Sequence, residues 1–168
     1  MIGYSRPKKE LAPFLEGIIV RFGEKSFLFS QSIRLNQTAI ENKVSKEQAT
    51  DLLLDLVGLK CGVETVKILI DHGADPRANN SEALWRAAKN GQEGVVKILL
   101  SQGETSQEEK SVAMRWAASS GHKEIVKILI DHGADPRAEK SLALALRMAS
   151  YNEHEGVVKI LIDHGADF

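Results

Sequence analysis

One ten-residue string recurs along this chain and constrains its fold more than any other feature. VKILIDHGAD occupies residues 66–75, 126–135 and 158–167, and a degenerate copy, VKILLSQGET, occupies 96–105. The copies begin 30, 30 and 32 residues apart, so the chain uses one supersecondary unit four times. A unit of this length cannot bury its apolar face alone. Stacking such units produces an elongated solenoid with a large exposed surface.

Each unit has the pattern of two helices joined by a tight turn. In the second unit, Ser81 is a suitable N-cap for a helix over 82–89, and the Asn-Gly pair after it supplies a turn that tolerates left-handed backbone. A second helix follows, and a loop leads to the next serine. Ser111 and Ser141 are predicted to start the corresponding helices of the third and fourth units. The spacing of 32 predicts that the fourth unit's first helix is two residues longer.

The apolar positions of the four units predict which faces are buried. Small side chains align in the first helices at Val57, Ala87, Ala117 and Ala149. Larger apolar side chains align beside them at Leu54, Leu84, Met114 and Leu146. Small side chains allow neighbouring helices to approach closely, as a stacked solenoid requires, so both columns are predicted to form the core.

A lysine occupies the same position of the second helix in every unit, at Lys67, Lys97, Lys127 and Lys159. In the third unit, Glu124, Lys127 and Asp131 share one helix face, opposite the apolar stripe. Two interpretations are open: a basic binding row, or a solvated back face whose lysines pair with acids of their own helix. The helical spacing favours the solvated face.

Several motifs recur together in register within these units. EALWRAA at 82–88 and VAMRWAA at 112–118 each end in an alanine pair. EIVKILIDHGAD at 124–135 and EGVVKILIDHGAD at 155–167 share a second-helix pattern and a GAD ending. Over roughly residues 48–168 these motifs resemble the ankyrin repeat family, although no unit contains the Thr-Pro-Leu-His helix start typical of that family.

The resemblance implies an all-α, ankyrin-type helix-turn-helix solenoid with shortened loops. Its four repeats would span about 48–80, 81–110, 111–140 and 141–168. The units are about three residues shorter than the 33 usual in the family. The shortening falls between the GAD ending and the next helix, so the protruding β-hairpins of the family should be trimmed.

Residues 1–47 do not match the repeat. Four of the chain's five phenylalanines, Phe14, Phe22, Phe27 and Phe29, lie there. This composition favours a packed segment over a disordered tail. We interpret the segment as an N-terminal cap that covers the first repeat, and an interaction module of its own is the alternative.

Composition and motifs argue against several classes of function. No apolar run approaches the roughly 18–20 residues of a membrane span. The 22 basic and 23 acidic residues give no global support for nucleic-acid binding. No metal or nucleophile motif occurs, and the lone Cys61, aligned with Gly91 and Gly121, cannot form an internal disulfide. We expect no enzyme, no metal and no cofactor; any catalysis would have to reside in the first 50 residues.

The five histidines occupy two repeated positions. His72, His132 and His164 precede the helix-terminating glycine, whereas His122 and His154 lie in the turn between helices. A repeat geometry strings such residues along a ridge, whereas a metal ion needs convergent ligands. Hydrogen bonds at turns are therefore their expected role.

Positions at which the repeats differ are the candidates for partner binding. The ankyrin resemblance places such residues at loop tips and along the concave side: Arg77, Asn79, Asn80, Trp85, Lys89, Gln107, Glu109, Arg115, Ser119, Arg137, Glu139, Arg147 and Tyr151. Tyr151 is either an exposed contact or a ring packed over the last turn. Trp85 is predicted to lie beside Arg115, as a cation–π pair or as a hot spot for a ligand. Trp116, aligned with Met148, is predicted to be core.

The resulting hypothesis is a non-catalytic scaffold that binds a protein partner through its concave face and loop tips. We expect it in the cytoplasm of its own cell or of a host, with neither nucleic acid nor membrane as partner. The alternative is a secreted or virus-encoded effector or inhibitor that blocks a host protein. Because the last copy keeps the apolar pattern of internal copies, Leu142, Leu144 and Leu146 are predicted to be partly exposed, or covered by self-association or a partner.

Overall fold

The computed structural model describes residues 45–135 and 139–165, and for 139–142 it describes the backbone alone. Within these ranges the chain forms eight α-helices and no β-strand. In chain order they are α1 (Lys46–Gly58), α2 (Val63–Asp71), α3 (Ala78–Lys89), α4 (Glu93–Ser101), α5 (Gln107–Ser119), α6 (Lys123–Asp131), α7 (Glu139–Tyr151) and α8 (Glu155–Asp163). The predicted N-terminal cap lies outside the described residues, except for its last three positions.

Consecutive helix pairs form four stacked units. The first helices α1, α3, α5 and α7 pack in one layer, and the second helices α2, α4, α6 and α8 pack in another. Successive first helices share more extensive contacts than successive second helices. Because the first helices approach more closely, their outward side becomes the concave side of the stack. The predicted all-α helix-turn-helix solenoid is confirmed.

Alanines in the first helices account for this close approach. Ala87, Ala117 and Ala149 are completely buried, next to the buried side chains of Leu84, Met114 and Leu146. The second helices contribute the aliphatic residues of the repeated string, including Val66, Leu69, Val96, Val126, Leu129 and Leu161. Burying one such aliphatic side chain stabilises the fold by about 1.5–3 kcal/mol. The predicted core is therefore confirmed in the last three units.

The first unit departs from the predicted alignment by one residue. Its turn comprises four residues, Leu59–Gly62, whereas three residues separate the two helices of each later unit. The Cys61 N–H donates to the Leu56 carbonyl, as the His122 N–H donates to the Ala117 carbonyl. Because of the extra turn residue, each residue of α1 corresponds to a residue of the later first helices that is one position away from the one predicted by fixed spacing.

Three predicted alignments were wrong for this reason. Leu56, rather than Val57, occupies the alanine column, and Leu53, rather than Leu54, occupies the column of larger side chains. Cys61 corresponds to the turn histidines rather than to the turn glycines. Val57 and Leu54 are nevertheless buried, because apolar residues on three sides of α1 face the stack.

The first helices of the third and fourth units begin before the serines predicted to start them, at Gln107 and Glu139 in place of Ser111 and Ser141. In the second unit α3 is bounded at Ala78, but its right-handed part begins at Glu82, as predicted. Capping boxes define two helix starts: Ser45 with Gln48 before α1, and Ser106 with Glu109 before α5. Their reciprocal hydrogen bonds satisfy backbone N–H groups that have no partner within the helix.

The start of α3 is irregular. Residues Asn79–Ser81 have φ angles of 54–58°, a left-handed conformation that asparagine tolerates better than most residues. Ser81 is buried, and its hydroxyl donates to Glu109 Oε1 on α5 at 2.7 Å. Ser81 therefore precedes the right-handed part of α3, as predicted for an N-cap, but its hydroxyl links two repeats.

The two extra residues before the last copy fall between α6 and α7. Five residues separate the end of α4 from the start of α5, whereas seven separate the end of α6 from the start of α7. Helices α5 and α7 each have 13 residues, so the predicted lengthening of the fourth unit's first helix was wrong. Lengthening a helix would disrupt its packing against its neighbours, whereas a loop absorbs insertions at little cost.

The turn histidines connect each repeat with the one before it. His122 Nε2 lies 3.0 Å from the Lys89 carbonyl oxygen, and His154 Nε2 lies 3.1 Å from the Ser119 carbonyl oxygen. Asn152 Nδ2 also donates to Ser119, at 2.9 Å. These carbonyls end first helices and have no partner within the helix, so the turns satisfy them across the repeat joint. The predicted hydrogen-bonding role of the turn histidines is confirmed.

Two turn glycines make room for these histidine rings. Gly91 and Gly121 have φ angles of 77° and 76°. A Cβ atom on Gly91 would lie 2.7 Å from the His122 ring, and one on Gly121 would lie 2.8 Å from the His154 ring. In the last unit the equivalent residue is Glu153, with a φ of 59°. The first unit has Lys60 at this position, with a φ of 60°, and the turn that follows it carries Gln92 in place of a histidine. Glycine is therefore found where the next turn carries a histidine ring.

The second helices present a solvated outer face. Lys67, Lys97, Lys127 and Lys159 are all exposed. Lys67 and Lys127 lie 3.5 Å from the carboxylates of Glu64 and Glu124 on their own helices. At the helix ends, Nδ1 of His72, His132 and His164 lies 2.7 Å from the carbonyl oxygen four residues earlier. The predicted solvated face and histidine ridge are confirmed.

Candidate protein-binding face

The outward side of α3, α5 and α7 carries side chains that differ from unit to unit, and we call it the first-helix face. Its equivalent rows, in the order α3, α5, α7, are Glu82, Val112, Leu144; Trp85, Arg115, Arg147; Arg86, Trp116, Met148; and Lys89, Ser119, Tyr151. All are exposed or half-buried, because the alanines between them are the residues that face the core.

A tryptophan pair lies at the joint between α3 and α5. The ring centroids of Trp85 and Trp116 are 5.5 Å apart, with an angle of 25° between the ring planes. The order Trp-Arg in α3 and Arg-Trp in α5 places the two rings diagonally across the joint. Trp116 was predicted to be core, and that prediction was wrong, since both rings are half-buried and stack on each other. Arg115 was the predicted cation–π partner of Trp85, whereas the cation observed over the Trp85 ring is Arg86.

Two cations flank the tryptophan pair. Lys89 Nζ lies 4.6 Å from the centroid of the Trp116 ring, and the Arg86 guanidinium carbon lies 5.7 Å from that of Trp85. Arg86 also forms an ion pair with Glu82 at 2.6 Å. A hydrogen bond from Asn79 and the nearby Arg86 charge hold the pKa of the Glu82 carboxyl below its ordinary value. Arg86 is thus neutralised locally, whereas Lys89 is not.

Arg115 and Arg147 continue the cationic row beyond the tryptophans. Arg115 is half-buried, and its buried Nε donates to no acceptor among the described residues. Leaving a buried donor unsatisfied costs about 1–3 kcal/mol. Arg147 is exposed. Among the side chains that the structure describes, none forms an ion pair with either arginine.

Tyr151 ends the first-helix face. Its side chain is 89% exposed, so the alternative of a ring packed over the last turn is wrong. Leu144, two turns earlier on the same face of α7, is 38% exposed, whereas Leu146 is completely buried. The predicted partial exposure at the end of the stack therefore holds for Leu144 and not for Leu146. Nothing is described for the side chain of Leu142.

Several predicted loop residues hold the repeats together. Gln107 binds the backbone of the next loop, donating to the Gly133 carbonyl and accepting from the Asp135 N–H. Glu109 caps α5 and accepts the Ser81 hydroxyl. These contacts occupy both side chains, which makes them poorer candidates for partner contacts than the sequence suggested.

The remaining predicted residues lie at the rim of the stack or beyond the described side chains. Arg77 is exposed and donates to the Glu104 carbonyl at 3.4 Å; Asn79 donates to Glu82 at 3.0 Å, and Asn80 is exposed. Ser119 is half-buried, with its carbonyl bonded across the repeat joint. Arg137 lies outside the described residues, and Glu139 lies in α7 with no side chain described.

Glu109 also has a shifted titration. Burial raises the pKa of its carboxyl. Hydrogen bonds from the Ser81 hydroxyl and from the N–H and hydroxyl of Ser106, together with the charge of Arg77, lower the pKa by more than burial raises it. The net result is a pKa below the ordinary value. The ionised form of Glu109 is therefore the one that links α3 to α5.

A shallow groove of about 460 Å³ lies at the C-terminal end of the described stack. Val158 and Ile162 line it, together with Ser150 and Glu153. Ile162 is 43% exposed. The equivalents of Ser150 in the two preceding units are the completely buried Ala88 and Ala118. At this end of the stack, Ser150 stands where the two preceding units have alanine, and Glu153 stands where they have a turn glycine. The aliphatic side chains of Val158 and Ile162 line the groove without a further repeat described over them.

Other kinds of site find no support within the described residues. No group of three or more His, Cys, Asp or Glu side chains there is placed to hold a metal ion. No described helix combines the length and apolar character needed to cross a bilayer. Cys61 is buried, and burial raises the pKa of its thiol to about 11, which makes it a poor nucleophile at neutral pH.

Comparison with known families agrees with this architecture. A family model described as "Ankyrin repeats (3 copies)" matches residues 58–110 and 103–168. The protein belongs to the ankyrin repeat family. No curated protein matches the chain. Ankyrin repeats are protein–protein interaction modules and typically non-catalytic scaffolds, and the first-helix face is the side on which this chain's repeats differ most.

Six residues of the first-helix face escaped prediction as partner contacts: Glu82, Arg86, Val112, Trp116, Leu144 and Met148. Arg86 and Trp116 were missed because a strict 30-residue alignment treats Trp-Arg and Arg-Trp as unrelated rows. The reversed order was itself a signal, since two aromatic residues on adjacent helices can meet diagonally. Leu144 was assigned to the end of the stack and not to this face.

Proposed function

We propose that this protein is a non-catalytic scaffold that binds another protein through the first-helix face. The observation that carries the proposal is the half-exposed stack of Trp85 and Trp116 with Tyr151 at the edge of the same face. Tryptophan, tyrosine and arginine dominate the energetics of protein interfaces, and this face presents all three. Loop residues such as Arg77 and Asn80 would form the rim.

We place the protein in the cytoplasm of its own cell or of a host cell. The buried reduced thiol of Cys61 and the absence of a described membrane helix are compatible with that location. A secreted or virus-encoded inhibitor that uses the same face against a host protein is the alternative function. Self-association through Val158 and Ile162 would be a separate property of the terminal groove.

The proposal is tested by site-specific crosslinking, which does not depend on knowing the partner. A photo-reactive phenylalanine analogue replaces Tyr151 in one sample and Lys127 on the outer face in the other. We expect a discrete adduct with one protein from position 151 and none from position 127. Adducts from position 127 alone, or equal labelling from both, would contradict the proposal.

A matched pair of variants then measures affinity for the crosslinked protein after it has been purified. The test variant is Trp85→Ala, Arg115→Ala, Tyr151→Ala, and the control is Lys97→Ala, Lys127→Ala, Lys159→Ala. Each removes three side chains, one set from each face. We expect the test variant to lose binding by roughly a hundredfold or more, since hot-spot residues each contribute about 2 kcal/mol. Circular dichroism and thermal unfolding must show that both variants are folded.

A further inference from the structure

The C-terminal halves of α3, α5 and α7 carry only positive charge. Residues 85–89, 115–119 and 147–151 contain Arg86, Lys89, Arg115 and Arg147 and no acidic side chain. The chain as a whole has a net charge of −1, so this local excess of cations does not follow from composition. A surface of one sign attracts partners of the opposite sign.

Three of these four cations are available to a partner. Arg86 is engaged by Glu82 and by the Leu54 carbonyl oxygen at 3.2 Å. Lys89 lies over the Trp116 ring, which leaves its ammonium group accessible to an anion, and Arg147 is exposed. Among the described residues neither forms an ion pair.

Arg115 gives the sharpest indication. A cation in the last turn of a helix is explained by the helix dipole, and this accounts in part for Lys89. Arg115 lies one turn further from the end of α5, next to the tryptophan pair, and its buried Nε has no acceptor among the described residues. The Nε atom is covered by this chain, but Arg115 as a whole is only half-buried, so a partner's carboxylate would form its charge-assisted bond with the part of the guanidinium group that remains exposed.

The positive surface is bounded. At the α1 positions equivalent to Glu82 and Arg86, the chain has Asp51 and Asp55, both exposed. A long polyanion that followed the face toward the first repeat would meet these two carboxylates. The pattern therefore fits a short cluster of negative charges better than a nucleic-acid strand.

We propose that the partner presents a short acidic segment with an apolar side chain at its centre. The apolar side chain packs on the Trp85–Trp116 stack, and carboxylates on either side pair with Lys89, Arg115 and Arg147. This inference rests on the proposed function, because it specifies the chemistry of the partner at the same face.

Peptide selection tests the inference. A library of random-sequence peptides displayed on phage is selected on the full immobilised chain. We expect the enriched sequences to combine Asp or Glu with Leu, Phe or another apolar residue. Enrichment of neutral or basic sequences, or no enrichment, would overturn the inference.

The selected peptide is then titrated into the protein and followed by intrinsic fluorescence. Trp85 and Trp116 are the only tryptophans of the chain, so the emission reports on this face alone. We expect Arg115→Glu and Arg147→Glu each to weaken binding roughly tenfold or more, and added salt to weaken it further. Lys97→Glu and Lys127→Glu, on the outer face, are the matched controls. An equal loss of peptide affinity in these variants would contradict binding at the first-helix face.

Two further outcomes separate this inference from the proposed function. If the partner crosslinks at position 151 but binds Arg115→Glu, Arg147→Glu and wild type equally, the face binds protein but the acidic segment is wrong. If no partner crosslinks there, the function itself fails. A single-stranded DNA oligonucleotide that binds more tightly than the selected peptide, with the same dependence on Arg115 and Arg147, would assign the face to nucleic acid.

Discussion

The two faces of the stack carry opposite kinds of sequence. The second helices repeat almost unchanged, and their outer side carries four exposed lysines, of which Lys67 and Lys127 pair with acids of the same helix. The first helices keep only their alanines and one large apolar residue, and their outward side varies. Repetition here identifies residues that hold neighbouring units together, and variation identifies residues that are free to serve a partner.

The largest expected effect on stability comes from removing a core side chain of the repeated string. Leu129 of α6 is completely buried between the two layers. We expect Leu129→Ala to lower the free energy of unfolding by about 2–5 kcal/mol, because it removes buried contacts and leaves a cavity. Urea denaturation measures the change. Lys127→Ala on the same helix is the control, with an expected change within about 0.5 kcal/mol.

A second prediction concerns the repeat joint. Gly121→Ala should destabilise the protein by about 1–2 kcal/mol from the left-handed backbone alone, and more if the His154 ring must move. The control is Gly156→Ala in α8, where a Cβ atom would meet only the flexible Lys123 side chain at 3.5 Å. There we expect stabilisation by about 0.5–1 kcal/mol. Thermal unfolding of the two variants should shift in opposite directions, and shifts of the same sign would contradict the role of the joint.

A third prediction separates stability from binding on the first-helix face. Replacing Arg115 by methionine removes a buried donor without an acceptor while keeping the aliphatic packing. We expect Arg115→Met to raise the free energy of unfolding by about 1 kcal/mol and to weaken partner binding. Arg147→Met, at the exposed equivalent, should weaken binding with little change in stability. A destabilised Arg115→Met protein would show that Arg115 serves the fold.

The smallest effect is a pH dependence at Glu109. Its pKa in the folded protein lies below the ordinary value, so it contributes stability that is complete above the ordinary carboxyl range. That contribution is lost as pH falls through the folded-state pKa. We expect Glu109→Gln to lower stability at neutral pH and to flatten this part of the acid unfolding profile. Glu108→Gln, at the exposed neighbouring position, should leave the profile of the wild type unchanged.

Much of the fold could be predicted because repetition reveals the core. The alanine column of the last three units, the exposed lysines and the histidine ridge all follow from comparing one unit with the next, and each was confirmed. Alignment by fixed spacing failed where a turn gained one residue, at Leu59–Gly62, and where the segment between α6 and α7 gained two. The extra turn residue precedes the first copy of the string, so no spacing between copies records it, and the spacing of 32 does not show which segment absorbs the other two residues.

The candidate face was predicted in outline and corrected in its contacts. Variation between repeats pointed to Trp85, Arg115, Arg147 and Tyr151, which all lie on one face. The same criterion also selected Gln107 and Glu109, which bind neighbouring repeats. Variation cannot separate these two roles, because a side chain that bridges two unequal repeats varies as freely as one that meets a partner.

The sequence by itself determined the repeated unit, its apolar columns and the family to which it belongs, because a helical solenoid is built from local, periodic contacts. Only the tertiary structure decided that Trp85 stacks on Trp116 and that Arg115 is left without an acceptor. Those facts depend on the offset and closeness of adjacent helices. A difference of one residue in register changes which side chains meet across a joint, and no single repeat contains that information.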